Sequence, residues 1–123
     1  MTREEIRRRA PRMSIELGAA ILGQKRRTVT VLDLSRTGCL VRAEAALDHG
    51  TILDIEFQLQ PEPFVAKARV TESFVDGVAS AEDGARYLVG LEFLGLPVRE
   101  EARLRSFLDD ERRRRRSADP AAV

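Results

Sequence analysis

A period-two alternation of apolar and polar residues is the feature that most constrains this chain. From Thr51 to Leu59, Leu53, Ile55, Phe57 and Leu59 take every second position, with Asp54, Glu56 and Gln58 between them. That period puts the two sets on opposite faces of an extended strand, one face to bury and one for water. The rhythm recurs at Met13, Ile15, Leu17, Ala19 and Ile21, at Phe64, Ala66, Ala68 and Val70, and at Tyr87, Val89, Leu91 and Phe93. Thr28 to Leu34 is β-branched and apolar, and Cys39 to Ala43 resumes after a break at Gly38. Turn signals punctuate the series: Gly23 to Arg27, Asp48-His49-Gly50, Pro61-Glu62-Pro63, and a small-residue loop from Asp76 to Gly84. Six short strands so spaced predict an antiparallel barrel or sandwich.

From Pro97 the period becomes helical. Proline suits a first helical turn, and Glu100 and Glu101 complement its positive end. Leu104, Phe107 and Leu108 form one stripe, and Asp109, Asp110 and Glu111 stand about one turn before Arg112 to Arg115. The expected organisation is a flexible arginine-rich arm at 1–12, a β-domain at 13–96, a helix at 97–116 covering its open side, and a disordered tail at 117–123.

At 123 residues the chain fits one domain that can bury a core without disulfides or metal. No apolar run approaches the ~18 residues of a membrane span, and the charged start at Met1 to Arg12 has no apolar signal region. The single cysteine, Cys39, forms no internal disulfide, and it reads as a small buried hydrophobe. These features predict a cytoplasmic protein. His49 falls in a turn with no nucleophile beside it, and one His and one Cys do not make a zinc site. No catalytic residue, metal or cofactor is therefore expected. A net charge of +1 supplies no general attraction for polyanions, and with aromatics at 5% no base-stacking platform is evident, so nucleic-acid binding through Arg112 to Arg116 is disfavoured.

All but two of the 21 basic residues are arginine, clustered at Arg7 to Arg9 with Arg12 and at Arg112 to Arg116. Two short motifs flank the first strand pair: Arg-x-x-x-Arg at Arg8 and Arg12, and Asp33-x-Ser35-x-x-Gly38. Alone, the first describes a solvated arm and the second an ordinary turn. Together, an out-and-back strand pair brings both to one end of a sheet. A guanidinium fork matches the N7 and O6 acceptors of guanine or two phosphate oxygens. Asp33 can accept the donors on guanine's Watson–Crick edge. Ser35 can bond a nearby backbone group or reach a phosphate through water, and Gly38 permits positive φ and close approach to a ligand. The set predicts a receptor for a guanine nucleotide with phosphates.

With these residues in hand, the chain resembles a stand-alone PilZ domain, the receptor family for the bacterial second messenger cyclic di-GMP. The resemblance rests on Arg8 and Arg12 with the extra arginines Arg7 and Arg9, on Asp33, Ser35 and Gly38, and on Gly90-Leu91-Glu92-Phe93. Ile6 and Thr37 depart from the pattern, standing where an acidic residue and a second glycine are common. The resemblance implies a six-stranded antiparallel β-barrel with a C-terminal helix. It also implies cyclic di-GMP bound by Arg8, Arg12, Asp33, Ser35 and Gly38, with Arg7 and Arg9 assisting. The implied output is a conformational change passed to an unidentified downstream protein in control of motility, adhesion or biofilm. The alternative is a PilZ-like adaptor that works by protein contacts and does not bind the nucleotide.

Overall fold

Each alternating segment becomes a strand in the computed structural model, which describes residues 11–78 and 85–118. The strands are β1 (Met13–Leu22), β2 (Arg26–Leu34), β3 (Gly38–Ala43), β4 (Ile52–Leu59), β5 (Glu62–Val78) and β6 (Ala85–Phe93), followed by helix α1 (Val98–Ala118). All neighbours pair antiparallel, in the order β1-β2-β3-β6-β5-β4, and the sheet closes into a barrel. Closure decides between the two expected architectures and leaves no unpaired edge. Two strands make it possible. β5 pairs with β4 through Arg69 and with β6 from Ala68 onward. β1 pairs with β2 along its length and with β4 from Ala19 to Leu22. Irregularities in β1, β2 and β5 add the local twist that closure needs.

The inward set is the one alternation predicts. Ile55, Phe57 and Leu59 of β4 meet Phe64, Ala66 and Ala68 of β5, and Val31, Val41, Val70 and Val89 are fully buried. Phe64 stacks on Phe57 at 4.8 Å between centroids and meets Phe93 edge-on at 5.7 Å, so the phenylalanine of Gly90-Leu91-Glu92-Phe93 is a core residue. Leu104 and Leu108 of α1 are fully buried in the same cluster, with Phe107 packed beside them.

Several boundaries differ from expectation, among them Gly38, which opens β3 instead of breaking the chain before it. β2 begins at Arg26, which shortens the first turn to Gly23–Lys25. β5 begins at Glu62, directly after a cis Gln60–Pro61 peptide, so Pro63 lies within the strand opposite Gln58. β5 also runs to Val78, because pairing with β6 continues to Val78↔Ala85 beyond the visible alternation. Helix α1 runs to Ala118, past the expected end at 116. Ion pairs one turn apart, Asp109 to Arg112, Asp110 to Arg113 and Glu111 to Arg114 and Arg115, support its last turns. The arm expected at 1–12 is described only at Pro11 and Arg12; residues 1–10, 79–84 of the expected loop, and 119–123 lie outside the described residues. Among the described residues no helix is long and apolar enough to cross a membrane.

Candidate functional site

The β1–β2 hairpin returns the chain to its starting end. Met13 pairs with Leu34 and Ser14 with Asp33, so Arg12, one residue before β1, arrives beside the end of β2. The Arg12 Nη1 donates to the Asp33 Oδ2 at 3.3 Å. Their side chains are 39% and 18% exposed, which leaves the pair open to solvent on one side. A surface ion pair of this kind contributes about 0–1 kcal/mol, so an arriving ligand can replace it at small cost. Of the expected arginines, Arg12 thus meets the Asp33 turn, while Arg7, Arg8 and Arg9 lie outside the described residues.

Between Asp33 and Gly38 the backbone makes a turn organised by Ser35. The Ser35 N–H donates to the Gly38 carbonyl at 2.9 Å. Its Oγ accepts from the N–H of Thr37 at 3.1 Å and of Gly38 at 3.2 Å. The hydroxyl proton has the Gly38 carbonyl and the Thr37 Oγ1 within reach, each at 3.2 Å. A serine hydroxyl has one proton and two lone pairs, so the turn engages its whole capacity. Ser35 is 3% exposed, a buried polar side chain beside an otherwise apolar core. The backbone bonding that its sequence position allows is thus made.

Gly38 does not use the positive φ that glycine allows. Among the described glycines only Gly50 and Gly95 have positive φ. At Gly38 a Cβ would stand 2.1 Å from the Leu91 carbonyl oxygen of β6. The close approach that requires glycine is therefore to the barrel's own backbone. The Phe93 N–H, donating to the Thr37 carbonyl at 2.9 Å, extends this seam between turn and β6. Gly90 has a related reason: a Cβ there would meet the Thr71 Oγ1 and the Glu72 side chain at 2.9 Å, where β5 bulges. Thr37, the departure from the usual glycine, adds its hydroxyl to the Ser35 network.

Two neighbours went unassigned in the sequence. Arg36 is exposed at the turn's tip and pairs with no described carboxylate, a cation facing solvent beside Asp33. Its position inside the motif was the available signal. Glu92 stands opposite Gly38 and pairs with Arg69 at 3.0 Å, fixing charge next to the turn. That pair joins β5 to β6 and has no local sequence signature. Cys39 is buried, and burial pushes its thiol well above the ordinary range, with the Asp33 charge adding to the effect. His49 is exposed. No cluster of three metal-ligating side chains occurs among the described residues.

Comparison with known proteins gives this geometry a family. The family model of the PilZ domain matches residues 6–110, and the chain belongs to that family. No curated protein matches it in sequence. Among solved structures, the PilZ domain of YcgR from Escherichia coli, solved with c-di-GMP, is similar at TM-score 0.73 and 22% identity, covering 93% of this chain and 98% of that one. MrkH of K. pneumonia in its c-di-GMP complex is similar at TM-score 0.75 and 15% identity; the match covers 90% of this chain and 55% of MrkH. The Bacillus subtilis inhibitor of motility MotI/DgrA is similar at TM-score 0.67 and 18% identity, over 86% of this chain and 52% of that one. The chain thus spans about half the length of the latter two. These likenesses establish the shared fold.

Proposed function

We propose that this PilZ-family protein is a receptor for cyclic di-GMP, with its site at the barrel end where Arg12 meets the Asp33–Gly38 turn. The observation that carries the reading is the 3.3 Å contact between Arg12 and Asp33. It supports placing both motifs at one rim. Similar PilZ structures solved with c-di-GMP support the choice of ligand. In this reading Arg8 and Arg12 grip phosphate or the guanine N7/O6 edge, with Arg7 and Arg9 assisting. Asp33 accepts from the guanine Watson–Crick donors. Ser35 and Gly38 shape the turn that presents Asp33. Ligand binding exchanges the Arg12–Asp33 pair for ligand contacts, which changes the surface shown to a downstream protein. Control of motility, adhesion or biofilm is the output this implies, in a protein acting in the cytoplasm without catalysing a reaction.

Calorimetry tests the reading. Cyclic di-GMP binds the folded protein, whereas GTP and cyclic di-AMP, lacking one or another feature of the ligand, bind far more weakly. Arg12→Ala abolishes binding with the barrel intact by circular dichroism, because Arg12 buries no apolar core. A folded wild-type sample that gives no heat at high micromolar cyclic di-GMP refutes the receptor and leaves the nucleotide-independent adaptor.

A further inference from the structure

The barrel carries a second charged feature, on the sheet face that the proposed nucleotide rim borders. Register across four strands places Thr30, Arg42, Leu88 and Phe74 in one row over β2, β3, β6 and β5. Their chain neighbours Val31, Val41 and Val89 point into the core, so this row faces outward. Phe74, at one end, is 46% exposed, a large apolar group left in water. At the other end the face opens into a groove of about 580 Å³. Lys25, Arg26, Arg27, Arg42 and Arg86 line it against a single carboxylate, Glu44. Of the five cations only Arg26 has an ion pair with a described residue, to Glu56 at 3.7 Å.

Chemistry narrows the occupant. None of the described lining residues is aromatic, so the groove offers no surface on which bases stack. Its walls are strand ends and short bends without a helix N-terminus, the usual cradle for a compact phosphate. Guanidinium forks spread along a groove suit a series of carboxylates, each bound through parallel hydrogen bonds. The hydroxyls of Thr28 and Thr30 add partners for an extended backbone. We propose that this face docks an acidic segment of a protein partner, its carboxylates in the arginine groove and an apolar side chain against Phe74. Asp33 pairs with Leu40, two residues from Arg42, so the rim and the docking row share one sheet face about 7 Å apart along β3.

Fluorescence anisotropy with a short labelled peptide of glutamates around one central leucine tests the assignment. The peptide binds at low salt, and its counterpart with glutamine for glutamate does not. Arg42→Glu combined with Arg86→Glu weakens binding by about tenfold or more. Phe74→Ser also weakens it, whereas Arg113→Glu, on the distal helix, leaves it unchanged. Arg42→Gln with Arg86→Gln gives a smaller loss in the same direction and serves if the reversed pair does not fold. Failure of the glutamate peptide to bind folded protein overturns the proposal, as does equal binding by the neutralised double variant. Tighter binding of single-stranded DNA or inorganic tripolyphosphate than of the peptide overturns it in favour of a polyphosphate site.

Discussion

A buried hydroxyl that accepts from two amide donors, with acceptors in reach of its own proton, is built into its own turn. That is the state of Ser35, held by Thr37 and Gly38. In the receptor reading proposed above, its part is to hold the loop that presents Asp33. Ser35→Ala leaves the Thr37 and Gly38 amides without their acceptor, a loss of about 1–3 kcal/mol. Urea denaturation should show a lower midpoint with an unchanged slope, in the absence of any nucleotide. A variant as stable as wild type would remove this turn-holding role. Gly38 carries a parallel lesson. Glycine in this motif suggests backbone freedom when read alone, yet the constraint comes from the Leu91 carbonyl of a strand fifty residues later. A sequence shows the glycine but not which backbone crowds it.

At the scale of elements, helix α1 is fixed by one side chain as well as by its apolar stripe. Arg103 donates to the carbonyls of Leu59 at 3.1 Å and Pro63 at 3.3 Å, and to that of Glu62, all at the β4–β5 turn. Glu100 holds the same guanidinium at 2.9 Å from one turn earlier in the helix. Both side chains are largely shielded from water, so this contact outweighs the exposed pairs farther along the helix. Arg103→Ala should lower stability by about 2 kcal/mol, read from the urea midpoint. Arg113→Ala, whose partner Asp110 is exposed, should change it by less than about 0.5 kcal/mol. Equal effects of the two substitutions would remove the anchoring role. Leu104 and Leu108 were legible from their helical spacing. The Arg103 anchor was not, because its acceptors are backbone carbonyls that only the folded turn brings together. The alternation in β4 translated directly into burial; in β1 Ile21 keeps the predicted phase, and Ala20, from the opposite set, is buried as well where β1 acquires β4 as a second neighbour.

Across the whole molecule, the legible part of the site is the part joined by a hairpin. Arg12 and Asp33 meet because two consecutive strands of similar length return to one end. The groove of Arg42 and Arg86 depends on β3 pairing with β6, a partnership between strands far apart in sequence that no local pattern displays. Closure also means that the rim is not an independent unit. β1 is bonded to β2 and β4, and β2 to β3, so a ligand holding Arg12 to the Asp33 turn restrains strands on which the entire sheet depends. Binding energy should therefore appear as stability of the whole barrel, in one transition. Cyclic di-GMP at about 100 times its dissociation constant adds about 2.7 kcal/mol. For a domain of this size that corresponds to a rise in Tm of roughly 8–15 °C. Scanning calorimetry and circular dichroism should report the same shifted midpoint. In Arg12→Ala the unliganded Tm should stay close to wild type, since the lost surface pair is worth at most about 1 kcal/mol, while the ligand-induced rise disappears. A rise that persists in Arg12→Ala would place the nucleotide away from this rim, and a rise seen by one probe alone would show that the rim and barrel unfold separately.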